Sequence, residues 1–259
     1  MKFINQKVGI FFWRQVISCP LTFQKILQGL FFYFFKNPNL KRNIFSKKNI
    51  DVAFPNLNEK EKRNLFNKNT KSMVRGLFDT GKAWFWNDAK INSFLKYEIS
   101  GLDKLNSAKG NLLIFKHSHH LELDSRILGM HCELYGVERA HNSTYMQKVQ
   151  SAGRLRGLNA LADKNKPITF IKWLKRGKTV LYAIDQDYGL KNSINVDFFG
   201  VKTATTNAPI KIVDATQCNV LFLDSYYESD KLILSIEEVN ITDTQSMIQD
   251  ISSHIETSI

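Results

Sequence analysis

With 259 residues, 43% of them hydrophobic, the chain is long enough for one large α/β domain with an added segment. A net charge of +12 implies an anionic partner: nucleic acid, an anionic membrane surface, a phosphorylated lipid or an acidic carrier protein. The cysteines Cys19, Cys132 and Cys218 are isolated and odd in number, which argues against a disulfide framework and for a reducing compartment.

The stretch from Val8 to Phe35 holds eight Phe and Trp residues. Its two longest uncharged runs are ten residues each, well short of the ~20 that a spanning helix needs. No small-residue cleavage site follows an apolar run, so it does not read as a secretory signal. Aromatic-rich apolar runs interrupted by Arg14 and Lys25 suit a segment lying in the membrane interface; the alternative is a buried amphipathic helical hairpin. Lys36, Lys41, Arg42, Lys47 and Lys48 follow as a polybasic flank, expected on the cytoplasmic side. Residues 1–48 are therefore expected to form a membrane-associated helical segment and 49–259 a second, α/β unit.

Phe54-Pro-Asn-Leu-Asn58 reads as a loop, and Asn58 with Glu61 as a capping box opening a helix to about Trp86. Leu65, Phe66, Val74, Leu77, Phe78 and Phe85 give that helix an apolar stripe. Gly76-Leu-Phe-Asp-Thr-Gly-Lys82 half-matches a phosphate-binding loop, but Ala83 replaces the magnesium-holding Ser or Thr and no strand precedes it. After Gly110 the pattern alternates. Strands are expected at 111–116, 137–140, 179–184, 220–225 and 232–238, and helices at 121–135, 143–156, 167–177, 208–217 and 244–255. Such alternation argues for a mixed, mainly parallel sheet flanked by helices.

The most informative tract runs from Asn111 to Glu122. Asn111 to Lys116 read as a buried strand, and His117 falls where it ends, the place where α/β folds expose reactive groups on a rigid support. Histidine exchanges protons near neutral pH, and a carboxylate such as Glu122 can fix its tautomer. The tract leaves rivals open. His119 and Asp124 have the same spacing as His117 and Glu122, and His117, His119, His120, Glu122 and Asp124 could be metal ligands, although Leu121 stands where an HxHxDH pattern needs Asp. A second strand end carries Asp185-Gln-Asp-Tyr-Gly189, in which Asp185 and Asp187 resemble the metal-binding pair of a nucleotide-sugar transferase. Arg139, His141, Asn142, Arg154 and Arg156 form a basic cluster between the two strand ends, suited to phosphate or carboxylate. No aromatic–basic RNA module is present, so nucleic acid is not the expected partner.

Taken together, these residues resemble the late acyltransferases of lipid A biosynthesis. His117 with Leu121-Glu-Leu123 and Arg126 looks like that family's His-x4-Glu motif with its downstream Arg. Phe54-Pro55, Gly81-Lys-Ala-Trp-Phe-Trp86, Arg139-Ala-His-Asn142, Gly153-Arg-Leu-Arg156, Asp185-Gln-Asp-Tyr-Gly189, Phe198-Phe199 and Ala204-Thr-Thr-Asn207 stand in the family's order and spacing. The resemblance spans about residues 40–255 and is closer to the lauroyl-type than to the myristoyl-type enzymes. It implies a glycerolipid-acyltransferase-like fold and transfer of an acyl chain, lauroyl by this likeness, from acyl carrier protein to a hydroxyl on a hydroxyacyl chain of Kdo2-lipid IVA, at the cytoplasmic face of the bacterial inner membrane. It also implies no metal or other cofactor, and His117, Glu122, Arg154 and Asp185 as the catalytic set. Arg126, Arg139, Asn142, Arg156, Gln186, Asp187, Thr205 and Thr206 are the residues expected to bind substrate. Relatives continue beyond the last helix into an aromatic and Arg-rich segment that is expected to be absent here, since the sequence stops at Ile259. Two other readings stand beside this one: a metal-dependent glycosyltransferase using Asp185 and Asp187, and a non-catalytic basic membrane-associated binding protein.

Overall fold

The computed structural model describes residues 2–185, 192–239, 243 and 246–259. Its helical layer is built on α4 (Glu59–Phe85). The capping box forms as the sequence predicts. Asn58 Oδ1 accepts from the backbone N–H of Lys60 and Glu61, each at 3.0 Å, and the Glu61 carboxylate accepts from Asn58 N–H at 2.9 Å. The inward face of α4 buries Phe66, Met73, Val74, Phe78 and Trp84, whereas Leu77 of the expected stripe is exposed and Leu65 and Phe85 are only half-buried. Covering a helix of this length on one face is what secures it, since propensity alone is weak.

Three helices precede it: α1 (Lys2–Ser18), α2 (Leu21–Phe35) and α3 (Lys41–Ala53). They are joined to the rest of the chain through packing on α4. Ile17 is fully buried, the Trp13 indole donates to Leu77 O at 3.2 Å, and the Trp86 indole donates to Ile17 O at 3.0 Å. The expected division after residue 48 falls inside α3, and no linker separates a membrane segment from a second unit there. One face of these helices is buried on α4, but the other leaves Phe11, Phe12, Phe23, Ile26, Leu30 and Phe34 exposed. No helix among the described residues is long and apolar enough to cross a membrane.

A seven-stranded sheet forms the second layer, in the order β1-β9-β8-β2-β5-β3-β4. The strands are β1 (Lys96–Ser100), β2 (Asn111–Phe115), β3 (Leu134–Glu138), β4 (Ala160–Asp163), β5 (Thr179–Ala183), β8 (Asn219–Glu228) and β9 (Lys231–Glu238). The central strands β8, β2, β5, β3 and β4 are parallel, while β9 runs antiparallel to β8 and β1 parallel to β9. The sheet is thus mixed and mainly parallel, as the alternating pattern implies. Leu112, Leu113 and Ile114 of β2 are fully buried, as expected of a parallel strand covered on both faces. Outside the sheet lie α5 (Asp88–Phe94), α6 (Leu121–Leu128), α7 (Thr144–Arg154), α8 (Pro167–Lys175), α9 (Ala208–Thr216), α10 (Met247–Thr257) and the hairpin β6 (Ser193–Phe198) to β7 (Val201–Thr206).

Several elements differ from the sequence expectation. The helix expected at 121–135 stops at Leu128, and Gly129 just beyond it lies against the chain at Gly157, where a Cβ would come within 1.7 Å of the Gly157 carbonyl oxygen. The strand expected at 137–140 accordingly starts at Leu134. The short strands β1 and β4 and the hairpin β6–β7 were not expected at all.

Gly153 on α7 meets α4 at Trp84, where a Cβ would lie 2.3 Å from the indole ring. Helix propensity favours Ala over Gly by ~1 kcal/mol, whereas forcing a methyl into a packed contact costs about 1–3 kcal/mol. Gly153→Ala is therefore expected to destabilise the fold by up to about 2 kcal/mol in urea unfolding. A stabilised variant would show that Trp84 yields freely.

Candidate active site

The site sits at the C-terminal edge of β2, β5 and β3. Because β2 and β5 are parallel neighbours, with Phe115 opposite Ala183, the two chains leave the sheet side by side. Two residues further on, the backbone N–H of His117 donates to Asp185 Oδ2 at 2.7 Å, and His117 Nδ1 lies 2.5 Å from Asp185 Oδ1. Burial pushes the Asp185 pKa up, but the His117 hydrogen bonds and charge outweigh it, and the carboxyl is held below its usual value. An ionised carboxylate only accepts, so Nδ1 is the protonated donor and proton exchange falls to Nε2.

Glu122 stands in the first turn of α6, and its carboxylate is largely buried. Its Oε2 accepts from the Trp84 indole at 2.9 Å. Its Oε1 accepts from Arg154 Nη2 at 2.6 Å and from Arg154 Nε at 3.0 Å. Arg154 Nη1 donates to Glu138 Oε2 at 2.9 Å, and Glu138 also accepts from Gln147 at 2.6 Å and Ser151 at 2.9 Å. Burial alone would lower the Arg154 pKa, yet the Glu122 and Glu138 carboxylates raise it. Arg154 is thus a half-buried clamp between two carboxylates, with Nε, Nη1 and Nη2 all occupied inside the protein.

A cavity of about 520 Å³ opens over this arrangement, its wall including His117, Glu122, Arg154, Arg139 and Thr206. Other expected site residues lie elsewhere. Arg126 is buried in an ion pair with Asp88 on α5. Arg156 donates to the Trp86 carbonyl from Nη2 at 3.0 Å and from Nε at 3.2 Å, tying α7 to the end of α4. Asn142 is exposed outside the cavity wall. Thr205 is also outside the wall while Thr206 is in it, since successive strand residues face opposite ways. Gln186 and Asp187 fall outside the described residues. The carboxylate on His117 Nδ1 is Asp185, whereas the sequence reading gave that place to Glu122, whose side chain is engaged by α4 and α7 instead.

The rival register does not form. Asp124 accepts from His120 Nδ1 at 2.9 Å, while His119 Nε2 pairs with Asn69 at 2.9 Å. Among the described residues there is no group of three or more His, Cys, Asp or Glu that could hold a metal ion. Glu138, Lys164 and Lys211 also stand in the cavity wall, outside the residues expected there, and Asn207 joins them from the Ala204-Thr-Thr-Asn207 motif. Glu138 ends β3, so the rule that singles out His117 and Asp185 would have found it had the strand been placed three residues earlier.

A carboxylate-oriented histidine at a sheet edge, opening on a cavity with apolar and cationic walls, has the parts for taking a proton from an attacking hydroxyl, the step that acyl transfer needs. The family is shown by sequence, because the pattern of the bacterial lipid A biosynthesis acyltransferases matches residues 2–259, and the chain belongs to that family. It is 30% identical over 213 residues to a lipid A biosynthesis acyltransferase of Haemophilus influenzae, covering 81% of this chain and 68% of that protein. It is 34% identical over 172 residues to the lipid A biosynthesis palmitoleoyltransferase of Escherichia coli, covering 64% and 56%. With the lauroyltransferase of the same organism it shares 36% identity over 163 residues, covering 61% and 53%. The chain thus spans about half to two thirds of these relatives' lengths. A solved 1-acyl-sn-glycerophosphate acyltransferase, PlsC of Thermotoga maritima, aligns over 90% of this chain and 94% of that one at 14% identity with a TM-score of 0.41, too loose a likeness to build on.

The clamp yields a test of geometry against charge. Lys keeps the charge of Arg154 but cannot reach two carboxylates with a planar fork. Arg154→Ala is expected to cost about 3–5 kcal/mol, the usual effect of stranding buried carboxylates. Arg154→Lys is expected to recover only part of that loss in urea unfolding. Full recovery by Lys would reduce Arg154 to a point charge.

Proposed function

We propose that this chain transfers a fatty acyl group, of the lauroyl type, from acyl carrier protein to a hydroxyl of a hydroxyacyl chain on Kdo2-lipid IVA. The observation that carries the reading is His117 on the wall of the cavity, with its Nδ1 held by Asp185. His117 Nε2 takes the proton of the acceptor hydroxyl as its oxygen attacks the thioester carbonyl. The C–S bond then breaks, and the leaving thiolate takes the proton back from His117. Asp185 holds the tautomer and stabilises the imidazolium that forms. Glu122 and Arg154 act together with Glu138 as a rigid wall that sets the cavity's shape. Arg139, Lys164 and Lys211, all on that wall, offer cations to the phosphates or carboxylates of an anionic lipid head.

The site of action in this reading is the cytoplasmic face of the inner membrane, with the exposed apolar face of α1 and α2 at the lipid boundary. Neither alternative gains an observation. A glycosyltransferase metal site would need Asp185, which is committed to His117, and a non-catalytic binding protein gives no reason for an oriented histidine on a cavity wall. The names of the relatives cover both lauroyl and palmitoleoyl transfer, so the acyl chain is a matter for direct measurement.

The test is mass spectrometry of lipid A from a lauroyltransferase-deficient host expressing this chain. The expected result is one added acyl chain of lauroyl mass with the wild type. His117→Ala is expected to lower turnover by roughly 10²- to 10⁴-fold, the range for losing a positioned base, with circular dichroism unchanged. An unmodified lipid A with well-folded wild-type protein would overturn the proposed substrates.

A further inference from the structure

A second cavity, of about 610 Å³, lies among α2, α3 and α4 and shares no wall residue with the first. Its wall carries four cations, Lys36, Lys47, Lys62 and Arg63, against two carboxylates, Asp51 and Glu59. Lys62 is tied to Asp51 at 3.0 Å. Among the described residues Lys36, Lys47 and Arg63 form no ion pair. The ammonium of Lys36 lies instead 4.4 Å from the centre of the Tyr33 ring, and that of Lys47 5.3 Å from the Phe66 ring. The corner that bears Lys36 is fixed from below. The buried Asn43 amide donates to the carbonyls of Phe35 at 2.6 Å and Asn37 at 2.7 Å, closing the turn between α2 and α3.

The setting of this cleft matters as much as its charge. It lies at the C-terminal end of α2, the helix whose outer face exposes Ile26, Leu30, Tyr33 and Phe34, and beside α3, which exposes Ile44 and Phe45. Exposed apolar side chains of this size and number mark a surface built to be covered. Cations set at the end of such a face match the boundary where lipid headgroups meet acyl chains. We propose that this cleft holds the phosphate of an anionic phospholipid headgroup while the apolar residues of α2 and α3 enter the acyl boundary beside it. The inference rests on the reading that the chain works at a membrane surface and adds a defined headgroup site to it. A nucleic acid or an acidic protein would satisfy the cations but leave the adjoining apolar face in water. The ring faces of Tyr33 and Phe66 are also already occupied by lysines, which leaves no platform for stacked bases.

The test uses the full chain and sedimentation with two kinds of vesicle, phosphatidylcholine alone and phosphatidylcholine containing phosphatidylglycerol. Three charges are removed in the cleft by Lys36→Gln, Lys47→Gln and Arg63→Gln together. Three are removed on and just after α8 by Lys172→Gln, Lys175→Gln and Arg176→Gln as a control. Each cation near an anionic surface is worth about fivefold in partitioning, so the cleft variant, with three removed, is expected to lose roughly 100-fold of its preference for phosphatidylglycerol. Its binding to phosphatidylcholine, carried by the apolar face, is expected to stay unchanged, and the α8 variant is expected to keep most of its preference. Equal losses in the two variants would reduce the cleft to diffuse charge and overturn the proposal. An unaltered preference in the cleft variant would do the same. So would a loss of turnover with soluble acyl-carrier donor at unchanged vesicle binding, which would place an acidic protein in the cleft. Wild-type protein that binds neither vesicle would sink the membrane reading itself.

Discussion

The parallel pairing of β2 with β5 ends at Phe115 opposite Ala183, and two further residues along each strand bring His117 to Asp185. Parallel neighbours cannot be joined by a tight turn; the chain must cross over and return to the same edge. That crossover here is α6, β3, α7, β4 and α8, and it delivers the rest of the site. Glu122 comes from the start of α6, Glu138 from the end of β3, and Arg154 from the end of α7. The demand that two strands run the same way therefore places both the oriented histidine and the Arg154 clamp on one cavity wall.

The clamp shows how the helical layer is coupled to this edge. Glu122 and Glu138 are nearly removed from water, and an unpaired carboxylate there would be costly. Arg154 meets both, and Trp84 supplies the remaining donor to Glu122. Trp84 belongs to α4, and α7 reaches it only because Gly153 has no side chain. The long helix that receives α1, α2 and α3 on its apolar stripe thus also fixes the carboxylate behind the active site. Packing of the three N-terminal helices and the shape of the cavity beside His117 depend on the same element.

Much of this was legible in the sequence where a local rule decides the outcome. The Asn58–Glu61 capping box, the stripe of α4, the apolar run before His117 and the strand before Asp185 each follow from spacing alone. The arginines expected at the site divide in the structure. Arg154 and Arg139 reach the cavity, while Arg126 and Arg156 are spent on Asp88 and the Trp86 carbonyl. Residue type gives all four the same chemistry; only the neighbours each meets in the fold separate them. The partner of His117 was hidden for a related reason. Glu122 is five residues away along the chain but on a helix aimed at Trp84, whereas Asp185 is sixty-eight away and adjacent through the sheet. The strands β1 (Lys-Tyr-Glu-Ile-Ser) and β6 (Ser-Ile-Asn-Val-Asp-Phe) do alternate polar and apolar residues and were open to reading as strands, whereas β4 and β7 carry no such alternation.

The account stands or falls on which carboxylate holds His117. The direct measurement is NMR of the protein labelled with ¹⁵N in its histidines, following the hydrogen-bonded Nδ1 proton of His117. The expected result is a strongly downfield signal that disappears in Asp185→Ala and survives in Glu122→Gln. A signal that survives without Asp185 and vanishes when Glu122 is changed would contradict the central claim.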